Sequence, residues 1–443
     1  MPGGLFVVQK ETRLTIFRYY EKRMKLTRLA LCTYSHGIGN GIAHMDAALA
    51  QGLDRSRFSL QPFVLRADFP SGRQKKVGDA IHLSLVDAFT VLFEYFQETD
   101  IVQVNGALDP VVANAAAAAG VPAVVEVMHQ VEMGGLHPAI DVTVCVSNLV
   151  HSAQLQKNSM VIYNGIDTKQ FSFLPGRRQG GQINVVQIAN AAKQVHWELG
   201  EIVQSLNDAR IHAFTVGDRP PYGIPSLGPV KDMASVYHMA DILFLLGKSD
   251  AFGLVFAEAM ACGALPVISC DSGIAAFVTS SQAGWVVNTE SRQDAVDTLS
   301  RAVNTVETAE FVRMQRRGRD MVDHNFGLSR MLEDYQRLYT ELTGRPRKEP
   351  KEPGIWMDLA LFAVLFRQGN REAPTVLERF NCGTVPLEPY FLRHPMGNAT
   401  VSVVLQACPT LARNGFRELV LGLCRRLRTS RVVSSLLDTA ERL

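Results

Sequence analysis

The sequence predicts an α/β fold of two Rossmann-like parallel-sheet domains that face each other across a cleft, followed by a helical appendage. Two observations carry this prediction. Short apolar and β-branched runs alternate with helical stretches along most of the chain, as in a parallel sheet covered by helices on both faces. The series is interrupted by a stretch rich in Pro, Gly and Arg at 173–181 and then starts again. In such folds, ligands bind at the carboxyl ends of the strands.

The first domain is predicted over residues 24–171. Met24 opens a run that leads directly into the first strand. Residues 1–23 are therefore an N-terminal extension, either an extra basic helix or the product of a misplaced start codon. Continuous apolar runs indicate strands, and the stretches between them indicate helices. The predicted strands are 29–33, 59–65, 101–104, 123–128 and 142–146, and the predicted helices are 42–51 and 113–119.

A linker at 172–182 leads to a second domain at 183–343. The same alternation predicts strands at 183–188, 213–216, 242–246 and 265–269 and helices at 254–262 and 292–305. A charged, proline-broken linker follows at 344–353, because Pro cannot continue a helix. Residues 354–443 are predicted to be a helical extension. Its arginines are either simply solvated or form a basic surface for anionic lipid or a protein partner.

Composition and charge exclude several classes of protein. A chain of 443 residues with 47% apolar residues and a net charge of +2 is typical of a folded protein of two or three domains, not of a disordered or nucleic-acid-binding one. The seven cysteines are scattered and form no Cys-x-x-Cys pair, so neither a zinc site nor a disulfide framework is indicated. A reducing cytoplasm is the expected location. No apolar stretch reaches the ~20 residues that span a bilayer.

The most informative stretch is 247–273, where a polar loop and a short helix connect two apolar strands. The loop and the helix carry two carboxylates, Asp250 in the loop and Glu258 in the second turn of the helix. A loop acid, the backbone N–H groups at the helix start and a helical acid can converge on one polyhydroxylated ligand, and a helix N-terminus favours negative charge. We therefore place the active centre here. The alternative is an ordinary strand–loop–helix–strand unit.

The spacing of these acids resembles a known signature. Asp250, seven intervening residues and Glu258, followed by Ala-Met-Ala-Cys-Gly and Pro-Val, look like the Glu-x7-Glu motif of retaining glycosyltransferases of family 4, which share the GT-B fold. Here Asp250 stands in place of the first Glu and Ala251 in place of a Gly. The resemblance extends over roughly residues 26–343 and includes Tyr-Asn-Gly-Ile-Asp at 163–167.

The resemblance implies roles for the two acids and for the backbone N–H groups between them. Glu258 binds the vicinal ribose hydroxyls of the nucleotide, and Asp250 faces the donor sugar. The backbone N–H groups of Phe252, Gly253 and Leu254 complete the donor-binding cradle. Together these residues form one wall of the predicted cleft.

A glycine-rich loop in the first domain is the second candidate part of the site. Gly37, Gly39 and Gly41 lie between the first strand and the first helix and supply backbone N–H groups suited to a phosphate. The resemblance places this loop against the donor diphosphate. A dinucleotide fingerprint is excluded because Ile42 stands where a third glycine is required. A tight strand–helix turn without a ligand is the alternative.

The resemblance assigns three further residues. Lys193 neutralises the leaving diphosphate. Asn190 occupies a donor-binding position where the family has Arg, and the loss of a bidentate cation removes charge that Lys193 alone does not restore. His129 ends the strand 123–128 near the reactive face of the sugar, where a purely structural histidine is the alternative.

The resemblance implies a metal-independent retaining glycosyltransferase that moves a hexose or N-acetylhexosamine from a nucleoside diphosphate sugar to an acceptor hydroxyl. The nucleotide sugar is a co-substrate, no cofactor is expected, and no Asp-x-Asp metal motif occurs in the chain. The acceptor is a glycan, a lipid-linked compound or a small molecule. A cytoplasmic location is expected, with peripheral membrane contact through the basic N- or C-terminal segments as an addition to it. The alternatives are a catalytically silent GT-B protein that binds a nucleotide sugar or scaffolds a partner, and a GT-B epimerase.

Overall fold

The structure, a computed structural model, describes residues 26–33, 41–66, 69, 74–105, 109–131, 137, 139–154, 158–174, 181–189, 194–218 and 223–351. Several predictions fall outside the described residues: the extension 1–23, Gly37 and Gly39, Asn190 and Lys193, and the helical extension 354–443. No helix in the described ranges combines the length and the apolar character needed to cross a bilayer.

The first domain is built on an eight-stranded sheet with the order β3-β4-β2-β1-β5-β6-β7-β8. Its strands are β1 (Thr27–Thr33), β2 (Phe58–Arg66), β3 (Gln74–Val77), β4 (Ala80–Ser84), β5 (Ile101–Asn105), β6 (Ala123–Met128), β7 (Val142–Cys145) and β8 (Ser159–Val161). The helices described here are α1 (Gly41–Gly52), α2 (Leu85–Phe96), α3 (Asp109–Ala118) and α4 (Asn148–Ser152). Every pair of neighbouring strands is parallel except β3 and β4.

The carboxyl ends of three neighbouring central strands lie at one edge of this sheet. β1, β5 and β6 are adjacent and parallel, and β5 and β6 are buried at every residue because helices cover both faces. The residues that end or follow these strands, Thr33, Asn105 and His129, therefore lie at the same carboxyl edge.

The second domain contains a parallel five-stranded sheet with the order β10-β9-β11-β12-β13. Its strands are β9 (Ile183–Ile188), β10 (Ile211–Val216), β11 (Ile242–Leu245), β12 (Leu265–Ser269) and β13 (Trp285–Val287). Its helices are α5 (Leu199–Leu206), α6 (Met233–Met239), α7 (Leu254–Cys262), α8 (Ala275–Ser281), α9 (Arg292–Val306) and α10 (Ala309–Phe326). The first sheet, parallel except at β3, and the parallel second sheet confirm the predicted fold class.

The last described helix, α11 (Leu328–Leu342), crosses back to the first domain. Its buried Tyr339 donates a hydrogen bond to the side chain of Gln103 in β5 at 2.6 Å. The chain then runs along the first domain. Arg347 donates to the carbonyls of Phe96 and Ala119 at the ends of α2 and α3, where a cation is favoured by the helix dipole. Residues 344–351, which belong to the predicted second linker, are thus packed against the first domain.

An aromatic cluster joins the two domains. We call it the Phe326 cluster; it consists of Tyr163 of the first domain and Phe252, Phe277 and Phe326 of the second. The ring of Phe326 lies 5.4 Å from Tyr163, 5.1 Å from Phe252 and 4.9 Å from Phe277, in each case edge to face. Such pairs add stability beyond the apolar area that they bury. Because Phe252 directly precedes Gly253, the N-cap residue of α7, the cluster holds the start of that helix against the first domain.

Candidate active site

The predicted loop and helix lie at the carboxyl end of the second sheet. β11 leads into the loop, and α7 begins at Leu254 as predicted. Gly253 is the N-cap residue with a φ of 100°, a conformation that strains a residue with a side chain. Among the described residues, no side chain caps this helix. The N–H group of Phe256 donates to the Gly253 carbonyl at 3.0 Å, and the N–H groups of the first turn that precede it are left for water or a ligand.

Contacts from both domains hold Asp250 in place. Its backbone carbonyl accepts a hydrogen bond from Gly273 N–H at 2.8 Å, and its backbone pairs with Ser272 in an isolated bridge. From the first domain, the hydroxyl of Ser147 donates to the carbonyl of Ala251. The residue predicted to face the donor sugar is therefore fixed by its neighbours on both sides.

A buried polar group lies beside this loop. Ser272 Oγ is buried and has no hydrogen-bond partner in the part of the chain that the structure describes. It lies 3.0 Å from the position that a Cβ on Gly253 would occupy, next to the start of α7. Buried polar atoms are normally hydrogen bonded. The Ser272 hydroxyl at an uncapped helix N-terminus is therefore available to a water molecule or to a polar ligand group.

Glu258 lies on the second turn of α7 and faces a tyrosine. The phenol of buried Tyr237 donates a hydrogen bond to Glu258 Oε2 at 2.8 Å. Burial raises the pKa of Glu258 to about 7, although the Tyr237 hydrogen bond acts in the opposite direction. A carboxylate this poorly solvated gains much from two further hydroxyl donors, such as those of a ribose.

One residue of the predicted glycine-rich loop is described. Gly41 is the first residue of α1, and a Cβ at this position would collide with the Leu254 side chain at the start of α7. The starts of the two helices therefore lie close to each other. Gly37 and Gly39 lie outside the described residues.

His129 lies where predicted, just after β6, but its partners were not predicted. Its Nε2 lies 3.2 Å from Oδ1 of Asn105, and the amide nitrogen of Asn105 donates to Asp46 at 2.8 Å and to Thr33 at 3.2 Å. Burial lowers the pKa of His129 to about 4, so the imidazole is neutral at pH 7. The Asp46 carboxyl on α1 is also buried, which raises its pKa to about 7.

Comparison with known proteins places these features in a family context. Residues 225–320 match the family model described as Glycosyl transferases group 1. Over 117 residues the chain is 26% identical to N-acetyl-alpha-D-glucosaminyl L-malate synthase of Bacillus anthracis, an alignment that covers 26% of this chain and 30% of that protein. The match thus spans less than a third of this relative.

Two solved structures have a similar fold. One is a glycosyltransferase from Rickettsia africae ESF-5, with a TM-score of 0.61, 15% identity and coverage of 73% of this chain and 100% of the other. The second is HepE from Anabaena in complex with UDP and glucose, with a TM-score of 0.57, 14% identity and coverage of 71% and 100%. The chain therefore has the GT-B fold, and the segment 225–320 that matches the group 1 glycosyltransferase model contains both Asp250 and Glu258.

Proposed function

We propose that this protein is a retaining glycosyltransferase of family 4 that transfers a hexose or N-acetylhexosamine from a nucleoside diphosphate sugar to an acceptor hydroxyl. The observation that carries the proposal is the arrangement at α7, where an uncapped helix N-terminus lies between the loop acid Asp250 and the buried Glu258. This arrangement falls inside the matched segment 225–320. The similarity of fold to HepE, solved with UDP and glucose, supports a nucleotide-sugar donor.

The chemistry of transfer assigns a task to each group. Breaking the anomeric C–O bond leaves negative charge on the diphosphate, which a helix N-terminus and cations stabilise. The N–H groups of residues 252–254 serve this purpose, together with Lys193 and, in place of an arginine, Asn190. Glu258 accepts hydrogen bonds from the ribose, and Asp250 accepts them from the donor sugar. The buried hydroxyl of Ser272 supplies one further donor beside them.

We propose further that the acceptor hydroxyl attacks the face from which the diphosphate leaves, and that the leaving phosphate takes its proton. The anomeric configuration is then retained. In this scheme backbone N–H groups and Lys193 offset the charge of the diphosphate, and no metal ion is required. The reaction takes place in the cytoplasm, and the basic terminal segments provide any contact with a membrane surface.

A donor panel tests the proposal. The purified full-length protein is incubated with UDP-, GDP- and ADP-sugars and a mixed set of sugar, polyol and lipid-linked acceptors, with and without EDTA. We expect one donor to give a glycoside with retained anomeric configuration, detected by NMR, in both conditions. Glu258→Gln should lose this activity, whereas Glu341→Gln, an exposed acid on α11, should retain it.

Each other outcome has a definite meaning. Nucleotide-sugar binding that depends on Glu258, with no product from any acceptor, identifies the catalytically silent GT-B protein instead. A protein that neither binds nor turns over any donor, and in which Glu258→Gln changes nothing, rules out both functions. Product that disappears with EDTA refutes metal independence alone.

Donor binding is expected to weaken as the pH is lowered through about 7. The folded-state pKa of Glu258 is raised from 4.5 to about 7, so the carboxylate that accepts the ribose hydroxyls becomes protonated in this range. A neutral carboxyl group accepts hydrogen bonds less strongly than a carboxylate. Calorimetric titration with the donor at about pH 6, 7 and 8 measures the effect. Glu258→Gln should bind more weakly and lose this pH dependence; an unchanged slope in that variant would contradict the assignment.

A further inference from the structure

Four polar residues form a hydrogen-bonded network at the carboxyl edge of the first sheet, which we call the Asp46 network. Thr33 ends β1, Asn105 ends β5, His129 follows β6, and Asp46 lies above them on α1. Thr33, Asn105 and Asp46 are buried, while His129 is only partly buried. Burying a polar group costs free energy unless the group has a hydrogen-bond partner. The donor and the acceptor of each hydrogen bond in the Asp46 network can therefore be assigned one after another.

The orientation of the Asn105 amide is fixed from one side. Its nitrogen donates to the Asp46 carboxylate at 2.8 Å and to the hydroxyl of Thr33 at 3.2 Å, which uses both amide hydrogens. Thr33 in turn is hydrogen bonded to Asp46. Turning the amide over would place its oxygen against a carboxylate oxygen, and two acceptors repel each other. The Asn105 oxygen must therefore face His129.

The orientation of Asn105 then determines the tautomer of His129. An amide oxygen only accepts, so the Nε2 atom that lies 3.2 Å from it must carry the ring proton. In a neutral imidazole the other nitrogen, Nδ1, then holds a lone pair. No hydrogen bond joins Nδ1 to any residue in the described ranges.

We infer that Asp46, Thr33 and Asn105 are positioning residues that hold His129 in its Nε2–H tautomer, so that Nδ1 accepts a hydrogen bond from a substrate hydroxyl. This inference rests on the proposed function for the identity of the ligand and on the hydrogen bonds above for the tautomer. An acceptor at this position selects a neutral hydroxyl group over a carboxylate or phosphate, because two acceptors cannot share a hydrogen bond without a proton between them.

The chain offers an internal reference for the tautomer. His137 also has its Nε2 3.2 Å from an asparagine oxygen, that of Asn114, but its Nδ1 accepts a hydrogen bond from the N–H of Ala139 at 3.1 Å. His137 should therefore be an Nε2–H tautomer whatever happens at Asp46. A change of tautomer that occurs at His129 and not at His137 is then caused by the Asp46 network.

Nitrogen-15 NMR of the full-length protein labelled at histidine tests the inference directly. We expect Nε2–H signals for both His129 and His137 at about pH 8, where Asp46 is ionised; His129→Gln assigns the first. Asp46→Asn introduces an amide that can donate to the Asn105 oxygen, so Asn105 can turn. His129 should then shift towards the Nδ1–H tautomer while His137 stays unchanged. A wild-type His129 that is protonated at Nδ1, or one that ignores Asp46→Asn in a folded variant, overturns the assignment.

The second half of the inference, that Nδ1 of His129 accepts a hydrogen bond from a substrate hydroxyl, is tested by enzyme kinetics. Once a donor and acceptor are known, Asp46→Asn and His129→Gln should each lower kcat/KM about tenfold, which corresponds to about 1.4 kcal/mol. The double variant should lose no more activity than His129→Gln, because both substitutions remove the same hydrogen bond, the one between Nδ1 and the substrate hydroxyl. Additive losses would show that Asp46 does not act through His129. Failure to find any turnover would count against the proposed function and leave the NMR result on the tautomer intact.

Discussion

Replacing Gly273 by alanine is expected to lower kcat/KM for glycosyl transfer about a hundredfold, because the change displaces the loop that carries Asp250. A Cβ at Gly273 would collide with the backbone carbonyl of Ala251 and would lie 2.8 Å from the hydroxyl of Ser147. Neither group is the end of a flexible chain. The loop must therefore move, and the hydrogen bond between Gly273 N–H and the Asp250 carbonyl is weakened.

Gly181→Ala is the matched control for this change. A Cβ at Gly181 would have no heavy atom within 4 Å, and its backbone does not have the positive φ that disfavours alanine. This variant should retain wild-type kinetics. Steady-state kinetics of both variants, with circular dichroism to confirm folding, gives the comparison. If Gly273→Ala folds and retains its activity, the Asp250 loop does not need its observed position and the role given to Asp250 is wrong.

The parts of the site that could be predicted are those with a local cause. Asp250 and Glu258 lie on one strand–loop–helix unit, so their spacing along the chain also sets their spacing in space. Gly253 belongs to the same unit, and its φ of 100° explains why the loop contains a glycine at this point. The buried parallel strands were predicted nearly to the residue, because a strand covered on both faces appears as an uninterrupted apolar run.

The partners of His129 could not be predicted because they are distant in sequence. Asp46 is 59 residues from Asn105, and Asn105 is 24 residues from His129. Only the order β1-β5-β6 of the sheet brings their strand ends together. One signal was present in the sequence: Asn105 ends a buried strand, and polar residues at the ends of parallel strands gather at one edge. Asp46 gave no such signal, since a single acid in a helix is usually exposed to solvent.

The hairpin of β3 and β4 was missed for a different reason. All four residues of β3, which include Lys75 and Lys76, are exposed, so the strand has no alternation of apolar and polar side chains. Lysines on an edge strand discourage pairing with other chains. They also remove the pattern by which a strand is predicted. α2 was also missed, although its polar residues Asp87, Thr90 and Glu94 recur at the spacing of one helix face.

Phe326→Ala is expected to lower the free energy of unfolding by about 3–5 kcal/mol. Phe326 is fully buried, and its ring contacts Tyr163 in the first domain as well as Phe252 and Phe277 in the second. Removing the ring leaves a cavity between the two domains, because three aromatic side chains fixed by their own contacts cannot all close in on it. Denaturant unfolding followed by both fluorescence and circular dichroism measures the loss.

The same variant tests whether the two domains are energetically joined at the site. If the Phe326 cluster joins the two domains, the wild type should unfold in one transition, whereas Phe326→Ala should unfold in two transitions, one for each domain. Donor binding should also be weaker in this variant, because the Phe326 ring no longer holds Phe252. Leu227→Ala, at a side chain that is 53% exposed, is the control and should change stability by less than about 0.5 kcal/mol. A wild type that already unfolds in two transitions would mean that the domains are stable separately. The start of α7 would then be positioned by its own sheet, with the first domain contributing only residues such as Ser147 that reach across to it.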